Sequence, residues 1–311
     1  MAERIALNEK VLSNVASHGK AGASWLANLP FLVQSLEDRW AIRVGRPFAN
    51  ATEAYVAEAL TQDGESVAIK IPIPGLEKTA REIGLLKAAG GRGYVRLLRY
   101  DEASGSMLLE RLGPQLAQQA LPIADQIAII CASLGRAWMK LPNGLQVVTG
   151  AEKAAEMASY ISSVWPRLGK PCSERAMALG LEFAAARAKA FEPSTAVVSH
   201  GDAHAWNTLF DPKTGEYKFV DPDGWFVEPA HDLSISMREW PAALLSGDAL
   251  ALGQERCALM SRLTGTDFDS IWQWGFIEQL VNGLTYLDVG PRKNAAPFLA
   301  VVEAWAVAPR G

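Results

Sequence analysis

The segment His200-Gly201-Asp202-Ala203-His204-Ala205-Trp206-Asn207 gathers acid, amide and imidazole groups in one polar stretch, and Asp221 follows fourteen residues after Asn207. An Asp and an Asn five residues apart, with a second Asp closing the next apolar strand, suit one task well. Asp202 can align a hydroxyl and accept its proton, while Asn207 and Asp221 offer hard oxygen ligands to the divalent ions around a triphosphate. Upstream, Val67-Ala68-Ile69-Lys70 ends an apolar run on a lysine, and Glu82 lies twelve residues further on. That pair matches an ammonium aimed at the α- and β-phosphates and the carboxylate that orients it. Phosphoryl transfer is the chemistry these spacings favour.

Each residue has an ordinary alternative. A loop Asp or Asn often caps a helix or makes a turn. Lys70 could face solvent at a strand edge, Glu77 competes with Glu82, and Lys78 and Arg81 could make surface pairs with either acid. The combination carries the expectation.

Other segments contribute less distinctive signals. Gly45 to Thr52 lacks a GxGxxG run and a P-loop, and Pro47 removes one donor, so Asn50, Ala51 and Thr52 are the candidates to turn N–H groups toward phosphate. Met107 to Leu112 is placed to cover an adenine with Met107, while main-chain groups from Glu110 to Leu112 read its edge. Between Asp221 and Glu239 stand five acids, Asp221, Asp223, Glu228, Asp232 and Glu239, against the single base Arg238. This surplus favours a cationic, polyhydroxylated substrate. Asp223 and Glu228 are candidates to touch it, joined by Glu278 and Asn282 on one helical face. His200 and His204 are separated by Gly201 and Asp202, which points to a loop rather than a zinc-binding helix, and His200 is expected to support that loop by hydrogen bonding, with Asp232 bracing it.

These groups need elements to position them. Residues 24–39 read as a short helix. Strands follow at Trp40–Gly45, Tyr55–Ala59 and Ser66–Ile71, the last two joined at the Asp63-Gly64 turn. Glu77–Ala89 has helical spacing and stops at Gly90-Gly91; Tyr94–Tyr100 and Ser106–Glu110 complete five strands. Arg111-Leu112-Gly113-Pro114 reads as a linker, dividing a nucleotide-binding lobe, 1–111, from a helical catalytic and substrate-binding lobe, 112–311. Within the second lobe, Thr195–Ser199 and Tyr217–Val220 read as two short strands of a hairpin around Asp211 to Gly215. A nucleotide is expected in a cleft between such lobes.

With 34 acidic and 30 basic residues, net charge -4, the chain has no global attraction for nucleic acid or an anionic membrane. Three separated cysteines fit a reducing compartment. The first twenty residues lack the apolar core of a secretion signal, so a cytoplasmic location is expected, with no obligate protein partner evident.

From about Trp40 to Asn282 the sequence resembles the aminoglycoside phosphotransferase family, above all at His200–Asn207, Asp221–Asp232 and Lys70 with Glu82. Leu108-Leu109-Glu110-Arg111-Leu112-Gly113-Pro114 is similar to its streptomycin 6-kinase and hydroxyurea-resistance kinase branch. The resemblance implies an α+β, bilobal protein-kinase-like fold with a small β-rich N-lobe and a larger helical C-lobe. It further implies direct transfer of a γ-phosphoryl group from ATP, with GTP open, and Mg²⁺ as the metal. By this match Asp202 is the base, Asn207 and Asp221 bind metal, and Lys70 with Glu82 serve the nucleotide. Streptomycin is the implied acceptor and antibiotic resistance the consequence. A metabolic sugar or amino alcohol is the alternative acceptor, and a catalytically silent nucleotide-binding pseudokinase is a third reading.

Overall fold

Alternation along one strand organises the N-terminal region. In β3 (Ser66–Pro72) Val67, Ile69 and Ile71 point to one face and Ala68 and Lys70 to the other, as a period of two requires. The computed structural model describes residues 5–307. On the Ile69 face it packs α1 (Glu9–Ser17) and α2 (Gly19–Trp40), whose Val11, Trp25, Leu29 and Leu36 share one core with β3. The sheet is antiparallel throughout, in the order β1-β2-β3-β5-β4. Its other strands are β1 (Ile42–Pro47), β2 (Ala54–Thr61), β4 (Leu97–Asp101) and β5 (Ser106–Glu110); α3 (Leu76–Ala89) intervenes after β3 and ends on Gly90 with φ +58°.

The short helix expected at 24–39 is longer, 22 residues, and is preceded by a second helix. Gly19, Gly22 and Pro30 read locally as breakers. Packing overrides them: a Cβ on Gly22 would lie 2.0 Å from the Val15 carbonyl oxygen, so glycine is what lets α1 cross α2 there.

The chain divides into two compact units, Met1–Gly113 and Pro114–Gly311. The second is mainly helical: α4 (Ile123–Ala137), α5 (Gly150–Arg167), α6 (Glu174–Ala190), α7 (Pro229–Arg238), α8 (Pro241–Leu244), α9 (Ala249–Thr264), α10 (Phe268–Asp288) and α11 (Ala295–Ala306). Its strands are β6 (Val197–Val198), β7 (Thr208–Asp211), β8 (Glu216–Phe219) and β9 (Phe226–Val227). The class is α+β, as the sequence implied: a small β-rich N-terminal region and a larger helical C-terminal one. Among the described residues no helix is long and apolar enough to cross a membrane.

One pairing differs from expectation. The strands at 195–199 and 217–220 are not partners: β6 pairs with β9, and β8 pairs with β7. The two residues of β6 and of β9 are too few for periodicity to reveal them. The β7–β8 register, Thr208↔Phe219 to Asp211↔Glu216, leaves Asn207 and Val220 facing each other at the open end of the hairpin. In helix α7 every residue from Ala230 to Met237 is buried, including His231, Asp232, Ser234 and Ser236.

Candidate active site

In the N-terminal unit Lys70 lies on the β3 face turned away from the α1–α2 core. Its Nζ donates to both oxygens of Glu82 on α3, at 2.7 and 2.8 Å. Both residues are buried, 8% and 4% exposed, so the pair is held in a low-dielectric setting rather than on the surface. The competing surface partnership goes elsewhere: Lys78 reaches Glu53 at 2.8 Å. Met107 is fully buried on β5, directly opposite Lys70 in the register.

The loop from 48 to 53 is tied down by a helix that the sequence left unseen. Asn8, the N-cap of α1, donates through Nδ2 to the carbonyls of Ala49 and Ala51, and Asn14 donates to that of Thr52. The carbonyls of Ala51 and Thr52 are therefore engaged on the helix side, in the loop that contains Asn50. Part of the Glu110 main chain is already engaged. Its N–H donates to the Arg96 carbonyl at 3.0 Å and its carboxylate accepts the Arg96 N–H at 2.8 Å, so it straps neighbouring chain together and its N–H cannot read a base edge. Arg111 donates to the carbonyl of Leu112, which is itself buried.

In the C-terminal unit the loop 200–207 hangs from one carboxylate. Asp232, fully buried in the first turn of α7, accepts the backbone N–H groups of His200 (2.9 Å) and Gly201 (2.7 Å) and the indole N–H of Trp138 (2.9 Å). Burial pushes this carboxyl up, and those N–H groups oppose the push. His200 places Nε2 against the Val220 carbonyl (2.8 Å) while Nδ1 accepts the Asp202 N–H (3.1 Å), an arrangement that suits the neutral Nε2–H tautomer. Gly201 sits at φ +88°, and a Cβ there would come within 2.9 Å of Asp223 and 3.2 Å of the Trp225 ring.

Asn207 donates through Nδ2 to the main-chain oxygen of Asp202 at 3.1 Å, so the amide holds the backbone of Asp202 rather than its carboxylate. Val220 N–H donates to the Asn207 carbonyl at 3.0 Å, and Asp221 follows with φ +58°, a left-handed conformation that Asp adopts more readily than most residues other than glycine. The hairpin thus brings Asn207 and Asp221 to neighbouring strand ends. Both offer oxygen ligands, which fits Mg²⁺ in preference to a soft metal.

The Asp202 carboxylate is gripped at both oxygens: Oδ1 accepts from Arg238 at 2.8 Å and Oδ2 lies 3.2 Å from His204 Nε2. Burial alone would raise Asp202, but the hydrogen bond from His204 and the Arg238 charge outweigh it and hold the carboxyl well below the usual range. For His204, burial works downward, and the bond and charge of Asp202 reverse this and raise it. About a third of the Asp202 side chain, 36%, stays open to solvent, enough for an acceptor hydroxyl to approach an ionised oxygen.

The acidic surplus expected around the acceptor is largely committed. Glu228 accepts from Arg187 at 3.1 Å and from the Trp274 indole at 2.8 Å, so it is already engaged by internal partners. Glu278 is buried and paired with Arg238 at 3.2 Å; burial raises its carboxyl, opposed by that guanidinium. Glu239 also approaches Arg238, at 3.4 Å. Asn282 is half-buried one turn along α10 from Glu278. Asp223 is locked to the 200–207 loop through its N–H, which donates to the His200 carbonyl at 2.8 Å. His231 is fully buried edge-on to Trp225 and Trp274, and burial drives its imidazole down to about 3, so it is neutral.

Sequence reasoning missed Arg238, His204, Trp138 and Arg187 as members of this network. Arg238 stood out as the one base in an acidic stretch, and that isolation was the available signal.

The family model described as aminoglycoside/hydroxyurea antibiotic resistance kinase matches residues 39–274. Streptomycin 6-kinase of Streptomyces griseus is 30% identical over 293 residues, 93% of either chain. Hydroxyurea phosphotransferase of Kitasatospora aureofaciens is 28% identical over 290 residues, 92% of this chain and 81% of that one. Among solved structures, an aminoglycoside phosphotransferase from Streptomyces rimosus in complex with ADP and streptomycin aligns with a TM-score of 0.53 over 82% of this chain and 98% of that one; at 18% identity the likeness is one of fold. The protein is an ATP-dependent small-molecule phosphotransferase. Matched by that model over well more than half its length, the chain belongs to the aminoglycoside/hydroxyurea antibiotic resistance kinase family.

Proposed function

We propose that this protein phosphorylates streptomycin at its 6-hydroxyl, using Mg-ATP and conferring resistance to the antibiotic in the cytoplasm. The observation that carries the acceptor is the end-to-end match with the Streptomyces griseus streptomycin 6-kinase, 93% of both chains. In this reading residues 1–111 bind the nucleotide, and 112–311 supply catalysis and acceptor binding. Lys70, aimed by Glu82, meets the α- and β-phosphates, backed by the N–H groups of Asn50, Ala51 and Thr52. Met107 and Leu112 cover the base.

Asn207 and Asp221 would hold Mg²⁺, which when bound would supply positive charge to the phosphate oxygens. Asp202 aligns the acceptor hydroxyl in line with the γ-phosphorus. The acceptor oxygen bonds to that phosphorus, the bond to the β–γ bridging oxygen breaks, ADP leaves, and the hydroxyl proton passes to Asp202. Asp223, Glu278 and Asn282 border the acceptor.

One observation favours a second reading, a kinase of a metabolic sugar or amino alcohol. The carboxylates that would recognise a cation are already answered by Arg238 and Arg187. Mass spectrometry separates the two after incubation with Mg-ATP or Mg-GTP and a panel of aminoglycosides, hydroxyurea, sugars and amino alcohols. Streptomycin gaining one phosphate on its 6-hydroxyl is the expected result, and Asp202→Asn should abolish it while nucleotide still binds. Phosphate appearing only on a sugar or amino alcohol, or turnover in the variant equal to the wild type, would reject the assignment.

A further inference from the structure

We propose that Arg238 is a positioning residue for phosphoryl transfer: its guanidinium, seated among Asp202, Glu239 and Glu278, sets the direction of the Asp202 carboxylate. The inference rests on Asp202 being the base.

Arg238 closes α7, the same helix whose first turn carries Asp232. Six residues separate them, about 9 Å along the axis. One buried helix therefore grips the catalytic loop twice. Asp232 takes the main-chain N–H groups of His200 and Gly201, which fixes the loop backbone. Arg238 takes Oδ1 of Asp202, which fixes the side chain.

The guanidinium is itself held from several directions. Its Nη1 donates to Glu278 on α10 at 3.2 Å, and Nε and Nη2 both reach Glu239 at 3.4 Å. The backbone beneath it is pinned too. Arg256 donates to the carbonyls of Ser236 (3.1 Å) and Glu239 (2.6 Å), and Gln279 to those of Met237 (2.9 Å) and Arg238 (3.3 Å). These bonds satisfy carbonyls that a helix end leaves without partners. A planar fork bridging two carboxylates in this way sets a direction that an ammonium on a flexible stem cannot. Because in-line transfer tolerates little error in position, a base freed to rotate loses rate without losing nucleotide.

The experiment compares wild type, Arg238→Ala, Arg238→Lys and Asp202→Asn, reading ADP released from Mg-ATP in the presence of streptomycin, with thermal melting as a check on folding. For Arg238→Ala, kcat should fall roughly tenfold to a hundredfold while the KM for ATP stays within about twofold. Millimolar guanidinium should restore a saturable part of that loss by entering the vacated nest, whereas sodium at equal ionic strength should not. If Arg238→Ala does not fold, Arg238→Lys serves: kcat should still drop at an unchanged KM for ATP, since one ammonium cannot span Asp202 and Glu278. Asp202→Asn should be inactive and indifferent to guanidinium.

Wild-type kcat in Arg238→Lys overturns the proposal, as does a folded Arg238→Ala with wild-type kcat or with a loss that guanidinium leaves untouched. Should Asp202→Asn turn over like the wild type, the assignment of the base fails instead. An inactive Asp202→Asn beside a fully active Arg238→Ala sinks only the role given to the arginine.

Discussion

Breaking the Lys70–Glu82 pair one side at a time should cost more than removing it whole. At 2.7 Å the attraction between unit charges is about 6 kcal/mol with an effective dielectric near 20. Desolvating both ions costs several kcal/mol apiece, so the intact pair contributes little net stability against an apolar replacement. Lys70→Met strands a buried carboxylate and Glu82→Leu strands a buried ammonium. Each single change should therefore lose about 3–5 kcal/mol, whereas Lys70→Met combined with Glu82→Leu should lie within about 2 kcal/mol of the wild type. Urea unfolding of the four proteins yields the coupling energy, and calorimetric titration with Mg-ATP reports binding. All three variants should bind nucleotide weakly, including the stable double variant, which separates the pair's task from its effect on folding. Single losses below about 1 kcal/mol that simply add in the double variant would refute the reasoning, because that is how a solvated surface pair behaves.

Gly201→Ala forces a Cβ against Asp223 and the Trp225 ring at a φ of +88°, so it should destabilise by about 1–3 kcal/mol and depress ADP release, measured by melting and a coupled assay. Asp232→Ala leaves the N–H groups of His200, Gly201 and Trp138 unanswered in a buried setting; a loss of about 3–5 kcal/mol is expected from urea unfolding, against roughly 1 kcal/mol for Trp138→Phe. Asp211 should contribute acid-sensitive stability. Burial raises its carboxyl, yet the Lys218 bond at 2.9 Å, with those from Lys213 N–H and Thr214, carries it below its ordinary value. That contribution is present above the unfolded value near 4 and lost as pH falls through the folded one. The stability gap between wild type and Asp211→Asn should therefore narrow below about pH 4, and a gap independent of pH down to acid unfolding would contradict it.

Much of the scaffold was legible because it is written locally. The alternation Val67, Ile69, Ile71 marks β3 and puts Lys70 on the opposite face, and Gly90 stops α3 one residue after Ala89. The Asp63-Gly64 turn joins β2 to β3, with Gly64 at φ +81°. The partner of β8 was not legible, nor was β9, since strands of two to four residues carry too little pattern to register. The length of α2 was hidden by Gly22, which the sequence reads as a breaker and which the close approach of α1 requires.

The residue types around Asp202 point to phosphoryl transfer from the sequence alone, because an acid, an amide and a second acid at these spacings suit that chemistry together. Charge balance is a different matter. Counting along the chain shows five acids against one base from Asp221 to Glu239. Folding brings Arg187 to Glu228 from forty-one residues away, and turns Arg238 back toward Asp202 and Glu278, thirty-six and forty residues distant. Electrostatic energy depends on separation in space and on burial, neither of which a linear count contains. Tertiary structure alone decided which carboxylates are answered and which one is held ionised.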